Sequence, residues 1–411
     1  MIGGGYAGAS AALTLAGTGA KVVVADTMRI GEGASSRSGG QVLAGVKRPL
    51  DELTAELGHD VAETITTETE AAFDFLEERL SIIGGTPKYQ RTGVFIGAHC
   101  RGSFEGMKRR APRLREATIV EPDDVRAEVD TVAFGGGMIR ARGGHLHPAL
   151  YHEALVDSAI RAGVEFYEGA RVTAVRRAPD GFEAEIVTRG PDAAATAKRA
   201  IKSKAILLAT NGYTSGLVPW LASRIVPVPS YMIATEPLDG DLARRLIPNR
   251  RAISDTRRML SYFRLCPDGQ RMLFGGRASF VDRAPVTCAR LLAQMMYRVF
   301  PELSKTRITH AWQGNVAFAA DMLPHFGVGP DGIYYTGPYN GRGVALGTYL
   351  GHRVALRMLG QAKPGESLDR LDHRRIHPGY RGNPWFLPIV GLWYQMQDAR
   401  DVWLDRITSR Q

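Results

Sequence analysis

The sequence is poor in cysteine, has no long apolar run and carries no internal repeat, and each absence closes off a class of protein. Three cysteines in 411 residues, Cys100, Cys266 and Cys288, are too few and too widely spaced for a disulfide framework or a zinc site. They suit a reducing compartment, so a cytoplasmic location is expected. No stretch reaches the roughly 18 uninterrupted apolar residues of a membrane span. Ile389 to Trp393 is apolar but short and follows a proline, and nothing reads as an amphipathic anchor. Secretory and transit signals are missing too. Hydrophobic residues make up 44% and charged residues 23%, as in soluble globular proteins, and the length accommodates two interwoven domains. The formal charge of +10 raises the question of nucleic acid. The densest basic run, Lys108 to Arg115, is cut by Pro112 and lacks interleaved aromatics for base stacking. It reads as a solvated helix face, and no nucleic-acid partner is expected. The net charge would still steer anionic small molecules.

What is present begins at once. Gly3-Gly4-Gly5-Tyr6-Ala7-Gly8 is a G-x-G-x-x-G loop, followed by a small-residue helix over 6–19 and an apolar strand over 21–26 that ends in Asp26. Gly3 permits the tight turn, Gly5 lets backbone approach a pyrophosphate, and Gly8 lets the helix pack close to the sheet. Tyr6 and Ala7 lie at the helix N-terminus, which favours an anion. Asp26 stands where a carboxylate accepts hydrogen bonds from an adenosine ribose. Dinucleotide binding follows from this unit as a whole. Only Met1 and Ile2 precede the loop, whereas a strand runs about five residues, so the natural chain is expected to start upstream.

Further along, 30–42 is rich in Gly and Ser and reads as irregular. Residues 51–83 carry helical periodicity, and 101–130 also look helical. Met138 to His147 reads as a strand or turn, leading into a helix over 148–162 with proline in its first turn. Strands follow at 164–167, 171–176 and 182–187. Ala205 to Ala209 is a continuous apolar run suited to a strand buried on both faces. Alternating patterns over 225–310 surround an amphipathic helix at 287–300. The expected architecture is α/β: a Rossmann-like dinucleotide-binding domain (parallel sheet plus helices) from 1–50, 145–224 and 308–363, an inserted mixed or antiparallel-sheet domain from 51–144 and 225–307, and a C-terminal extension over 364–411.

Several segments together resemble the FAD-dependent amine and amino-acid oxidoreductases of the D-amino-acid oxidase superfamily, in particular the γ-glutamylputrescine oxidoreductase branch. They are Gly3 to Gly8, Ile30 to Gln41, Gly143-Gly-His-Leu-His-Pro148, Tyr262-Phe-Arg-Leu, Leu273-Phe-Gly-Gly-Arg277, Trp312-Gln-Gly-Asn315 and Tyr339-Asn-Gly-Arg-Gly343, in family order over nearly the whole chain. By this resemblance the Rossmann-like domain is the FAD-binding domain and the inserted one the substrate domain. FAD needs several separated contact loops. The loop from Gly33 offers backbone N–H groups and the hydroxyls of Ser35 and Ser36, with Arg37 available for a phosphate. The resemblance implies that Ser38, Gly39, Gly40 and Gln41 run beside the flavin and that Val172 gives adenine a backbone contact, although Val172 reads equally well as strand core. Thr210, Asn211 and Gly212 suit close approach to the cofactor. Gly341, Gly343 and Val344 introduce a helix whose N-terminus would face the flavin's pyrimidine edge and stabilise negative charge on reduction.

The resemblance further implies hydride transfer from a carbon bearing a neutral amine to flavin N5, imine hydrolysis, and reoxidation by O2 to hydrogen peroxide. Desolvation can lower the amine pKa enough to dispense with a strong base. His145 is the first candidate to take the amine proton, or else it packs the turn before Pro148. His147 reads as structural. Arg277, Tyr262 and Trp312 would line the substrate side by resemblance, with Arg277 also a cation near N5. Trp312 could instead be a core aromatic. Arg342, where relatives often carry His, could pair with the reduced flavin or an anionic substrate group, or be a surface arginine. Ala319 replaces a common Thr. Asn315 stands where sarcosine-oxidase relatives attach flavin through cysteine, so non-covalent FAD is expected. A glycine or D-amino-acid oxidase or dehydrogenase is the alternative within the superfamily. A tRNA-modifying flavoprotein, or a scaffold without cofactor, are alternatives of other kinds.

Overall fold

An apolar strand buried on both faces needs partners on both edges, and Ile2 is held in that way. In the computed structural model, which describes residues 1–189, 196–362, 365 and 367–408, Ile2 bridges in parallel to Ala25 on one side and to Leu208 on the other. Its amide donates to the Leu207 carbonyl at 2.9 Å, and its carbonyl accepts from Ala209 at 2.8 Å. The resulting layer runs Glu165–Tyr167, Val23–Ala25, Ile2, Leu207–Leu208 and Tyr334–Thr336, all parallel, with Phe326–Val328 antiparallel at the edge.

Small residues let helices lie close on this layer. The first helix, Tyr6–Ala16, packs against Ala345–Met358, and a methyl group at Gly351 would stand 2.3 Å from the Ala7 carbonyl oxygen. Helix His59–Ile83 joins the same core through Ile65, Phe73 and Leu76. Gly58, at φ +84°, separates it from Leu50–Leu57. The opposite face is covered by a three-stranded antiparallel meander, Ala170–Ala178, Gly181–Arg189 and Thr196–Ser203.

The second sheet has eight strands in the order Ile308–Phe318, Val226–Thr235, Met272–Gly276, Ser261–Leu265, Ala252–Asp255, Val94–Gly97, Gly137–Arg140 and Ala117–Val120. Only Ala252–Asp255 and Val94–Gly97 pair in parallel. Helix Pro285–Val299 covers one face, where Phe263 stacks on Phe274 at 5.2 Å and meets Phe300 edge-on at 5.3 Å. Because side chains alternate along a strand, Phe263 and Leu265 turn towards that helix while Tyr262 and Arg264 turn to the other face.

Three expectations need correction. Ile308–Phe318 pairs with Val226–Thr235 from Val226/Phe318 onward, so it belongs to the eight-stranded sheet rather than to the nucleotide layer. The 51–83 helices bury their apolar stripe in the nucleotide-layer core, because that stripe meets the Ala345–Met358 helix and not the sheet. The 101–130 segment is helical only at Arg101–Arg110 and in short turns. Pro112 ends the helix, and the β-branched run Ala117–Val120 becomes the sheet's edge strand.

The Gly351→Ala substitution forces two packed helices apart and is expected to cost about 1–3 kcal/mol, measured as a shift of the urea midpoint with unchanged slope.

Candidate functional site

The glycine loop is folded as its sequence requires. Gly3 sits at φ +102°, and a Cβ at Gly8 would stand 2.0 Å from the Gly3 carbonyl oxygen, so the helix starts directly on the strand turn. Gly5 supplies no side-chain cap of its own, and the N–H end of the helix favours an anion. Ser35 approaches it, its Oγ accepting from the Tyr6 amide at 3.0 Å. Asp26 accepts from the Gly4 amide at 2.8 Å and the Met28 amide at 2.9 Å. The Tyr6 ring is buried, its hydroxyl donating to the Pro148 carbonyl at 2.9 Å. Ser36 instead turns its hydroxyl back to the Gly31 carbonyl, and Arg37 leans on Glu32 at 3.6 Å. Thr210 to Gly212 follow the Leu207–Leu208 strand beside Gly3, where Asn211 keeps a buried Oδ1 without a partner among the described residues. Val172 has its side chain in the core and lies at a register shift before Ala174.

The two sheets meet along Ser38 to Gln41. Gln41 pairs with His145 across a short two-stranded ladder, and its Nε2 donates to the Ile253 carbonyl at 2.9 Å. A methyl at Gly39 would lie 2.9 Å from the Tyr262 ring, and Tyr262 bonds Ser230 at 2.9 Å. The Trp312 indole donates to the Arg37 carbonyl at 2.8 Å, which ties the strand to the loop rather than leaving the ring as plain core.

Arg264, to which the sequence reading gave no role, is the centre of this junction. It is 1% exposed and has no carboxylate partner within ion-pair distance among the described residues. Its guanidinium donates to the carbonyls of Gly39 (2.7 Å), Leu146 (2.9 Å) and Leu265 (3.0 Å), and desolvation lowers its pKa to about 10. The sequence signal was its place two residues after Tyr262, on the same strand face.

A cluster of cations lies next to the junction. Lys47 Nζ and the Arg277 guanidinium stand 5.7 Å and 5.2 Å from the Phe318 ring centre. A Cβ at Gly341 would be 3.4 Å from Lys47 Nζ and 4.0 Å from Val316. Arg342 turns inward, donating to the Ala44 carbonyl, so it is not a surface arginine. Desolvation, then the charges of Arg277 and Arg342, bring Lys47 to about 7. Desolvation, then Arg140, bring Arg342 to about 9. Burial likewise lowers Arg277, whose Nη1 donates to the Arg258 carbonyl at 3.0 Å. None of the three has a carboxylate within ion-pair distance among the described residues. They lie beside the turn Gly341 to Val344, where helix Ala345–Met358 begins without a side-chain cap.

His145 does not join them. Its imidazole is 1% exposed, Nε2 donates to the Arg250 carbonyl at 3.0 Å, and desolvation, followed by the Arg264 charge, lowers its pKa to about 3. So weak a base takes no proton from an alkylammonium, and its part is packing. His147 caps helix Pro148–Arg161 through the Leu150 amide.

Removing Arg264 leaves buried carbonyls unpaired. Arg264→Met is expected to lose about 3 kcal/mol or more of stability, read by denaturant unfolding.

The arrangement fits FAD by its own geometry: a helix N-terminus over a glycine turn, an acid at the end of the neighbouring strand, an orphaned Asn211 oxygen, and cations near a second helix N-terminus. Comparisons agree. The family described as FAD dependent oxidoreductase matches residues 1–357. Gamma-glutamylputrescine oxidoreductase of Escherichia coli is 29% identical over 407 residues, covering 98% of this chain and 93% of that protein. A probable oxidoreductase, OrdL, of Haemophilus influenzae is 30% identical, covering 88% and 82%. Among solved structures, glycine oxidase of Geobacillus kaustophilus superposes with a TM-score of 0.72 at 16% identity, covering 90% of this chain and 97% of that one, which shows the shared fold. The chain therefore belongs to the D-amino-acid oxidase family of FAD-dependent oxidoreductases.

Proposed function

We propose that this chain oxidises a primary or secondary amine that carries a carboxylate, releasing an imine that water hydrolyses, with O2 as the final acceptor. The observation that carries the reading is the group Lys47, Arg277 and Arg342. Three cations with no carboxylate within ion-pair distance among the described residues, next to a positive helix end, hold local potential that an anionic substrate group would relieve. The names of relatives support an amine or amino acid: gamma-glutamylputrescine oxidoreductase, glycine oxidase, and a fructosyl amine:oxygen oxidoreductase.

FAD, when bound, supplies the hydride acceptor, N5, and a route for two electrons to oxygen. The protein's part is binding and electrostatics. Gly3, Gly5 and Gly8, with the amides of Tyr6 and Ala7, would hold the pyrophosphate, and Asp26 the ribose. Gly39 to Gln41 and the turn Gly341 to Val344 would border the flavin. Tyr262 and Phe318 would border the docked amine, and excluding water there would favour the neutral amine. With His145 too weak, a positioned base is not needed. Arg277 is placed to favour electron transfer to oxygen. An α-amino acid would satisfy the same cations, so a glycine- or D-amino-acid-type activity is the second reading. Asn315 donates its amide hydrogen to Tyr213 Oη at 3.2 Å and offers no thiolate, in keeping with a non-covalent cofactor. The free cysteines agree with a reducing cytoplasm, and no helix among the described residues is long and apolar enough to cross a membrane.

Two outcomes are expected. Acid precipitation of the yellow holoenzyme releases the flavin into the supernatant. In an anaerobic panel, amines with a carboxylate bleach the flavin and their carboxamides do so poorly. The kcat/KM of such a substrate rises as its amine deprotonates and falls above about pH 7 as Lys47 loses its proton. Lys47→Met removes that falling limb and raises KM roughly tenfold or more, with a smaller change in kcat.

A further inference from the structure

The C-terminal helix, Leu387–Thr408, is mounted inside out. Its acidic side faces the body: Asp398 accepts from the backbone amides of Arg258 (3.0 Å) and Met259 (2.9 Å), Asp401 meets Arg258 Nη1 at 2.7 Å, and Asp405 accepts from the Arg101 amide. Gly391 lies so close to Phe280 that a Cβ would sit 2.6 Å from its ring. The apolar side is left outward. Trp385, just before the helix, then Ile389, Leu392, Trp393, Met396, Trp403 and Ile407 are each between 41% and 70% exposed. Ile389, Leu392, Met396, Ala399 and Trp403 follow the alternating three- and four-residue spacing of a helix–helix seam.

We propose that this seam is covered by a second copy of the chain, the two helices crossing antiparallel on a two-fold axis at Met396. Five of these seven exposed apolar positions map onto one another about that residue. Trp385 falls opposite Ile407, Ile389 opposite Trp403, and Trp393 opposite Ala399, large against small. Arg400, an exposed cation on this face, falls opposite Leu392 with the Trp393 ring beside it, so no like charges meet. Such self-complementarity is what a two-fold interface requires. The exposed apolar residues offer on the order of 1,000 Å² per protomer, against the roughly 800 Å² per partner of a stable interface. Val281 and Leu291, also exposed, broaden the patch in the cleft beside Leu392. A helix lying in a lipid interface would instead pair its apolar side with a basic one, and the polar side here is built on Asp398, Asp401 and Asp405.

Sedimentation velocity on the flavin-loaded protein at tens of micromolar decides the matter. The expected species has twice the chain mass. Met396→Glu, which sets two carboxylates face to face on the axis, and Ile389→Glu, away from it, should each weaken association roughly a hundredfold or more, with flavin spectrum and melting temperature unchanged. A wild-type protein that sediments as a monomer overturns the proposal. So does a dimer that survives both substitutions, or a monomer that instead co-sediments with vesicles of phosphatidylcholine and phosphatidylglycerol.

Discussion

A buried guanidinium held by three backbone carbonyls fixes the relation between the two halves of this protein. Arg264 comes from the eight-stranded sheet, while two of the three carbonyls it serves, those of Gly39 and Leu146, belong to segments running from the nucleotide layer. Burying an unpaired charge costs several kcal/mol, and three charge-assisted hydrogen bonds of about 1.5–3 kcal/mol each offset that cost. The bonds exist only when loop, turn and strand are mutually in place. Arg264 is therefore a geometric lock between the two sheets.

That lock explains the electrostatics next to it. With Arg264 satisfied by carbonyls, no acid is needed at the junction. Glu70, the buried acid close by, is taken up by Arg140 at 3.2 Å and Arg142 at 2.8 Å. Desolvation, then the charges of Arg277 and Arg342, lower the pKa of Lys47, while desolvation, then Arg140, lower that of Arg342.

What the sequence made legible was whatever local spacing encodes. The glycine loop, Asp26, and the strands and helices of the nucleotide layer follow from residues within about 30 positions of each other. Where expectation failed, distant partners decided. Arg264 looks like any solvated cation until the fold surrounds it. His145, at a domain junction with a free-looking imidazole, is occupied by a carbonyl about a hundred residues away. The helical periodicity over 101–130 lost to an open sheet edge, which a run of Ala-Thr-Ile-Val fits better than a helix does. The orientation of the C-terminal helix was hidden most completely: its apolar and acidic residues interleave, and partners more than a hundred positions upstream, Arg258 and Arg101 among them, determine which side turns inward.

The same backbone carries that helix's influence towards the candidate site. Asp398 binds the amides of Arg258 and Met259, and the Arg258 carbonyl holds Nη1 of Arg277. A guanidinium with one hydrogen bond to a carbonyl and an aromatic face beside it is positioned, not neutralised, and so keeps its charge available to a ligand. Whatever steadies the helix steadies Arg258, and through it the direction in which Arg277 points. A surface that at first sight concerns only assembly is thus two hydrogen bonds from a cation assigned to substrate and oxygen. Loosening the helix should reach the chemistry through Arg277 before it reaches the flavin-binding loops, which rest on the other layer.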